Sequence, residues 1–193
     1  MGNITQKRVD VLKVFGKDYF RKISASKIAK EINMPQQTVS RIMNTLEKDN
    51  ILKSEKQGKN KLFFLNKEHP GLNIVLNIIE NFRTLEFNIN SSKISIIISE
   101  LLKYCESIIL FGSYASGKQK ETSDLDIAVF NVKNKNKFNQ IVWSYSKEIN
   151  PHFFSYLEFK KMLNKKVALA EEIKKNHVFF GNISRLVGVM KNG

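Results

Sequence analysis

The stretch Ile108 to Phe130, "IILFGSYASGKQKETSDLDIAVF", constrains this chain more than any other. An apolar run that reads as a buried strand ends at Gly112-Ser113, and a short helix follows. A loop, Gly117 to Ser123, then leads to Asp124-Leu125-Asp126 and a second apolar run, Leu125 to Phe130. Residues i and i+2 of a strand face the same side. Asp124 and Asp126 are therefore predicted to project together toward the Gly-Ser turn. A glycine lets backbone approach a phosphate closely, and a hydroxyl and a helix start donate hydrogen bonds to it. Two like charges so close call for a cation between them. Mg²⁺ or Mn²⁺, shared between carboxylates and triphosphate oxygens, meets that need. The pattern suits metal-assisted in-line displacement at the α-phosphate of an NTP. Lys118 and Lys120 follow the turn and read either as phosphate contacts or as solvated loop lysines.

These residues resemble the DNA polymerase β nucleotidyltransferase superfamily, specifically the minimal nucleotidyltransferases of prokaryotes. The match is carried by Gly112, Ser113, Asp124 and Asp126, with Ala115, Gly117 and Ser123 in supporting places. It covers residues 106–130 and extends to about 157. The resemblance implies an antiparallel-leaning mixed sheet backed by helices, Mg²⁺ use, and transfer of an NMP from an NTP to an acceptor. Active members of that superfamily place a third carboxylate on a later strand, where it completes the metal site and helps deprotonate the attacking hydroxyl. The corresponding stretch here, "KEINPHFFSY", offers Asn150 and Pro151 at the expected place. Glu148 would need a shifted register, and Glu158 lies beyond the strand. His152 reads as a base or as packing between Phe153 and Phe154.

The N-terminal third has a different pattern. Ile4, Val9, Leu12 and Phe15 fall at helical spacing. Ser24 offers an N-cap to a short helix with Ile28, Ala29 and Ile32 on one face. Asn33-Met34-Pro35 breaks it, and Gln36 to Lys48 resumes with Val39, Ile42, Met43 and Leu46 inward. Two β-rich runs, Ile51 to Ser54 and Leu62 to Leu65, flank a basic turn from Lys56 to Lys61. Helix, turn, helix and hairpin in this order, over residues 4–67, resemble winged helix-turn-helix regulators of the MarR or ArsR kind. The resemblance implies that Gln36, Gln37, Thr38, Ser40 and Arg41 open a recognition helix in the major groove of duplex DNA. Asn44 and Lys48 lie further along it. Lys59, Asn60 and Lys61 at the hairpin tip would hold the backbone or the minor groove. The alternative is a winged helix that serves only protein contact or dimerisation, with its polar residues as ordinary surface.

Charge agrees with a polyanionic partner. The net charge is +14 over 193 residues, and residues 1–70 hold 15 Lys and Arg against 7 Asp and Glu, more than half of the excess. A lysine-rich, AT-biased genome gives the same composition without a partner. The single cysteine, Cys105, excludes an internal disulfide or a multi-cysteine zinc site. No apolar run is long enough for a membrane span, and the first ten residues lack a signal-peptide core, so a cytoplasmic protein is expected. Trp143 and Tyr145 read as core or interface, or as base-stacking residues.

The expected architecture is α+β: a winged helix-turn-helix at 1–70, a linking helix and break at 71–92, and a nucleotidyltransferase-like domain at 93–193. The linking helix is a candidate homodimer interface. Two functions compete. The first is a DNA-binding, Mg²⁺-dependent nucleotidyltransferase, with a toxin-antitoxin role and a HEPN-type partner protein implied by small relatives. The second is a transcriptional regulator whose nucleotidyltransferase fold binds nucleotide or a partner with little turnover. A nucleic-acid-modifying enzyme that holds RNA is a third.

Overall fold

A computed structural model describes residues 5–191, so Ile4 lies outside the described residues. The chain divides into two units, Met1–Phe82 and Arg83–Gly193. The division falls inside one helix, Leu72–Asn90. No helix among the described residues is long and apolar enough to cross a membrane.

In the first unit, α1 (Gln6–Lys13) ends in a short 3-10 turn, Val14–Lys17. A two-residue strand, β1 (Ile23–Ser24), precedes α2 (Ala25–Glu31). Ser24 Oγ accepts the Lys27 N–H at 3.4 Å, so the residue that ends β1 also caps α2. Asn33 takes a left-handed φ of 49° and ends that helix, while Pro35 opens α3 (Gln36–Lys48) by accepting the Thr38 and Val39 N–H groups. Val39, Met43 and Leu46 are buried on one face of α3. The hairpin follows as β2 (Leu52–Gln57) and β3 (Asn60–Leu65), with β1 completing a sheet of order β1-β3-β2. Its turn is only Gly58-Lys59, and Gly58 supplies the positive φ of 59°. The strands run further than the apolar pattern predicts, because ladder hydrogen bonds continue through Glu55–Gln57 and Asn60–Lys61 whatever their side chains. The two-residue β1 carries too little periodicity to be seen in sequence.

Helix α4 (Leu72–Asn90) continues through Asn88 to Asn90, where a polar break was expected; the chain leaves helix only at Ser91. The second unit continues with α5 (Ser92–Leu101), β4 (Ser107–Leu110), α6 (Gly112–Ser116) and β5 (Leu125–Phe130). Then come α7 (Lys135–Ser144), β6 (Ile149–Phe154), α8 (Tyr156–Asn164), α9 (Ala168–Lys175), β7 (Val178–Gly181) and α10 (Ile183–Lys191). The four strands form one sheet of order β6-β5-β4-β7. β4 pairs antiparallel with β5 and β7, and β5 pairs parallel with β6, giving the antiparallel-leaning mixed sheet that the resemblance implied.

Alternation sorts the sheet's two faces. Ile108, Leu110, Leu125, Ile127, Val129, Ile149 and Val178 pack with Ile97, Ile98 and Leu101 of α5 and Phe138 and Val142 of α7. Burying side chains of this size contributes roughly 1.5–3 kcal/mol each. Cys105 lies in this cluster, 2% exposed, and burial pushes its thiol up to about 12. The opposite face carries Phe130, whose ring meets Phe154, Tyr156 and Phe159 at 5.0–6.1 Å. Asp124 and Asp126 alternate with the apolar set and fall on this second face, at its half-exposed end. β6 is an edge strand, and Pro151 stands within it.

Candidate functional site

The antiparallel turn from β4 to β5 brings Gly112 beside the aspartates. Leu110 pairs with Ile127, and the Phe111 N–H reaches the Asp126 carbonyl at 3.1 Å. Gly112 therefore faces the start of β5. A Cβ built on it would lie 2.5 Å from Asp126 Oδ2, and its φ is 69°. Both facts require glycine: the carboxylate occupies the space of the missing side chain, and the backbone is left-handed. Asp124 and Asp126 share one side of the strand, because a single amide reaches both. Asn150 Nδ2 lies 3.4 Å from Asp124 Oδ2 and 3.5 Å from Asp126 Oδ1. These are long contacts, at the outer edge of hydrogen bonding.

The register explains why that residue is Asn150. In the parallel β5–β6 pairing, Asp126 is opposite Asn150 and Ala128 is opposite His152. A neutral amide thus stands where a third carboxylate was sought. Glu148 precedes the strand, and its carbonyl accepts the Leu125 N–H at 2.9 Å. Glu158 belongs to α8, where it closes a capping box with Ser155. The backbone and hydroxyl of Ser155 hold the Glu158 carboxyl below its usual range. His152 packs its ring against Phe111 at 5.8 Å. It lies one strand pair beyond Asn150, roughly 7 Å along the strand at ~3.3 Å per residue.

The donor set is all oxygen: two carboxylates and an amide that can present its oxygen instead of its nitrogen. That chemistry fits a hard divalent cation such as Mg²⁺ or Mn²⁺. Among the described residues no three His, Cys, Asp or Glu side chains gather as a metal-binding group. The residues here fit one cation on two carboxylates, with the Asn150 amide beside both of them.

The loop ahead of Asp124 is closed on itself. Ser123 accepts the Lys120 N–H on its hydroxyl at 2.8 Å, and its own N–H returns to the Lys120 carbonyl at 3.0 Å. Gly117 turns the end of α6 with a φ of 70°, and the Lys118 N–H reaches the Ser113 carbonyl at 3.0 Å. Lys118 and Lys120 are exposed, while Ser113 is half-buried. One contributor had no local signal in the sequence. Lys147, just before β6, places Nζ 2.9 Å from the Glu121 carbonyl and 5.3 Å over the Tyr114 ring. It reaches back 26 residues, a contact that only the β5–β6 pairing creates. Trp143 is 76% exposed on α7, and Tyr145 donates its hydroxyl to Glu100 at 2.5 Å.

In the first unit, Gln36, Gln37, Arg41, Asn44 and Lys48 are exposed on α3, with Thr38 and Ser40 half-buried. Lys59 and Asn60 are exposed at the hairpin tip. Lys61 is exposed and is also engaged within the unit. Its Nζ lies 2.6 Å from Glu47 Oε2 and 3.3 Å from Asn44 Oδ1, over the Phe63 ring at 4.7 Å. Lys61 and Asn44 are therefore engaged with each other and with Glu47, tying the hairpin to α3. Burial raises the Glu47 carboxyl, but the hydrogen bonds from Lys61 and Ser54 outweigh it and hold the group below its usual range.

No curated protein matches the chain. Among solved structures, AF1382 from Archaeoglobus fulgidus is similar over 43% of this chain and 91% of its own, at 20% identity and a TM-score of 0.37. The PcaV transcriptional regulator from Streptomyces coelicolor, in complex with its natural ligand, is similar over 52% and 73%, at 11% identity and a TM-score of 0.36. Residues 92–184, which hold the two aspartates, Gly112 and all four strands of the larger sheet, match the family model Polymerase beta, Nucleotidyltransferase.

Proposed function

We propose that the second unit binds an NTP through one divalent cation on Asp124 and Asp126, and that transfer of its NMP to an acceptor is the chemistry of this site. The observation that carries the proposal is the packing of Asp126 against Gly112, with Asp124 on the same side. It puts paired carboxylates beside the Gly112-Ser113 turn. The cation, when bound, neutralises charge on the triphosphate and polarises the α-phosphate. The Gly112-Ser113 turn supplies donors to the phosphate tail, and Lys118 adds positive charge. The two aspartates orient the nucleotide.

A second reading is favoured by Asn150. An attacking hydroxyl must lose its proton, both aspartates are committed to the cation, and an amide takes no proton at neutral pH. On this reading the domain binds a nucleotide with little turnover and the chain acts as a regulator. One experiment separates the two. The chain is incubated with each of the four α-labelled NTPs and Mg²⁺ or Mn²⁺, with candidate acceptors present. One acceptor class is a HEPN-type partner protein. Label transfer that is lost in Asp124→Ala and Asp126→Ala establishes the transferase. Nucleotide binding lost in the same variants, without transfer, establishes the sensor.

The first unit is proposed to bind duplex DNA, with α3 in the major groove and Lys59 near the backbone. Exposed Gln36, Gln37 and Arg41 on one helix face, in a unit with a basic excess, support this reading. Binding should fall steeply with salt. RNA competing better than duplex DNA at fixed salt would instead point to the RNA-holding enzyme.

A further inference from the structure

We propose that Lys147 is a positioning residue of the nucleotide site: it clasps the loop between α6 and β5 against α6, and so fixes where the Gly-Ser turn and the loop lysines meet a triphosphate. The geometry is a three-way contact. Lys147 sits on the segment leading into β6, between Ser146 and Glu148. Its ammonium donates to the carbonyl of Glu121 in the loop, at 2.9 Å. The same ammonium lies 5.3 Å over the ring of Tyr114, two residues beyond Gly112 on α6. One side chain thus bridges three pieces of chain that converge on the aspartates. Next to it, the Leu125 N–H donates to the Glu148 carbonyl at 2.9 Å and anchors the start of β5 to the same segment.

A tie is needed at this place. Residues 117–122 are exposed, and hydrogen bonds from Lys118 to Ser113 and between Lys120 and Ser123 close the two ends of the loop. Between those closures, the carbonyl of Glu121 is held by Lys147. A cationic donor half-sheltered from water makes a stronger bond than a neutral one, and an aromatic face beneath it adds to the attraction. Lys147 touches neither aspartate, so its influence on nucleotide runs through the loop and α6. Its role in nucleotide affinity rests on the proposed NTP site, whereas its hold on the loop does not.

The test uses the full chain and two readouts. Limited trypsin digestion followed by mass measurement reports cleavage after Lys118 and Lys120. Calorimetric titration with ATP in the presence of Mn²⁺ reports affinity. The variants are Lys147→Met, Lys147→Arg, and Lys137→Met as a control for lost charge at an exposed site on α7. Lys147→Met is expected to speed loop cleavage and to weaken ATP about tenfold, with Mn²⁺ alone bound as in the parent. Lys147→Arg is expected to restore both readouts to within about twofold, since a guanidinium can make the same donor and ring contacts. Lys137→Met should change neither. Unchanged cleavage in Lys147→Met overturns the proposal, as does faster cleavage in Lys137→Met of the same size. If the parent chain binds no ATP, the nucleotide reading fails and the cleavage arm alone decides the clasp. If Lys147→Met melts well below the parent, Lys147→Gln, which removes the charge and the contact over the Tyr114 ring, replaces it with the same expected order.

Discussion

The two units present their candidate residues in opposite ways. In the first, Gln36, Gln37 and Arg41 stand on one helix, close in sequence and open to solvent. Each can be replaced without disturbing a neighbour. In the second, Gly112, Asp126 and Asn150 come from three segments and are fitted to one another at contact distance. The first arrangement is a surface, and the second is a constellation. A surface tolerates change in its members, whereas a constellation passes any change to its neighbours. The first unit has a constellation of its own, in Lys61, Glu47 and Asn44, but it joins hairpin to helix and leaves the N-terminal end of α3 open.

The sharpest test of that contrast is Gly112→Ala. The added methyl meets Asp126 Oδ2 at 2.5 Å on a backbone with φ of 69°. A loss of about 2–4 kcal/mol is expected, read as a lower melting temperature, together with loss of cation binding. A variant as stable as the parent would show that the aspartate has room to retreat. Asn150→Asp comes next. A third carboxylate beside Asp124 and Asp126 should cost about 1–2 kcal/mol without metal through like-charge repulsion, and should raise Mn²⁺ affinity by about tenfold. Titration of the unfolding transition with Mn²⁺ reads both effects. If Asn150→Asp also gains label transfer, the amide is what holds turnover back.

Smaller effects belong to the first unit. Lys61→Met removes a partly exposed ion pair and should cost about 0.5–1 kcal/mol. The Glu47 carboxyl is held low while folded, so its contribution is present above the ordinary carboxylate range and fades as pH falls through the folded value. Lys61→Met should abolish that part of the acid dependence. Gln37→Ala and Arg41→Ala should shift stability by less than about 0.5 kcal/mol while lowering duplex affinity. A large loss of stability from either would turn the surface into a constellation and break the comparison. Cys105→Ser leaves neutral-pH charge unchanged but bears on alkaline stability. The folded thiol stands near 12 against an ordinary value of 9.0. Its contribution is full below pH 9 and declines above it, as the unfolded thiol ionises. Thiol-reactive dye should therefore label Cys105 only on unfolding at neutral pH.

Legibility followed the same divide. Pattern alone located α3 from Gln36 to Lys48 and the cap at Ser24, because helix ends and apolar spacing are local signals. The pair Asp124 and Asp126, with Gly112, was legible because strand alternation and a turn glycine are local as well. Asn150 could be named as the residue at the third place, but its amide bridging both aspartates depends on the β5–β6 register. Lys147 carried no signal, because its partners lie 26 and 33 residues earlier across a parallel pairing. The engagement of Lys61 was likewise hidden: a lysine at a hairpin reads as free until the hairpin folds back on α3.

Pro151 carries one last consequence. It stands on an outer strand of the larger sheet, immediately after Asn150. Lacking an amide hydrogen, it interrupts the row of donors that an incoming β-chain would need for zipper-like docking. A polypeptide recruited to this flank therefore meets a frayed border. Arrival as a loop or through side chains is favoured over addition of a fifth strand.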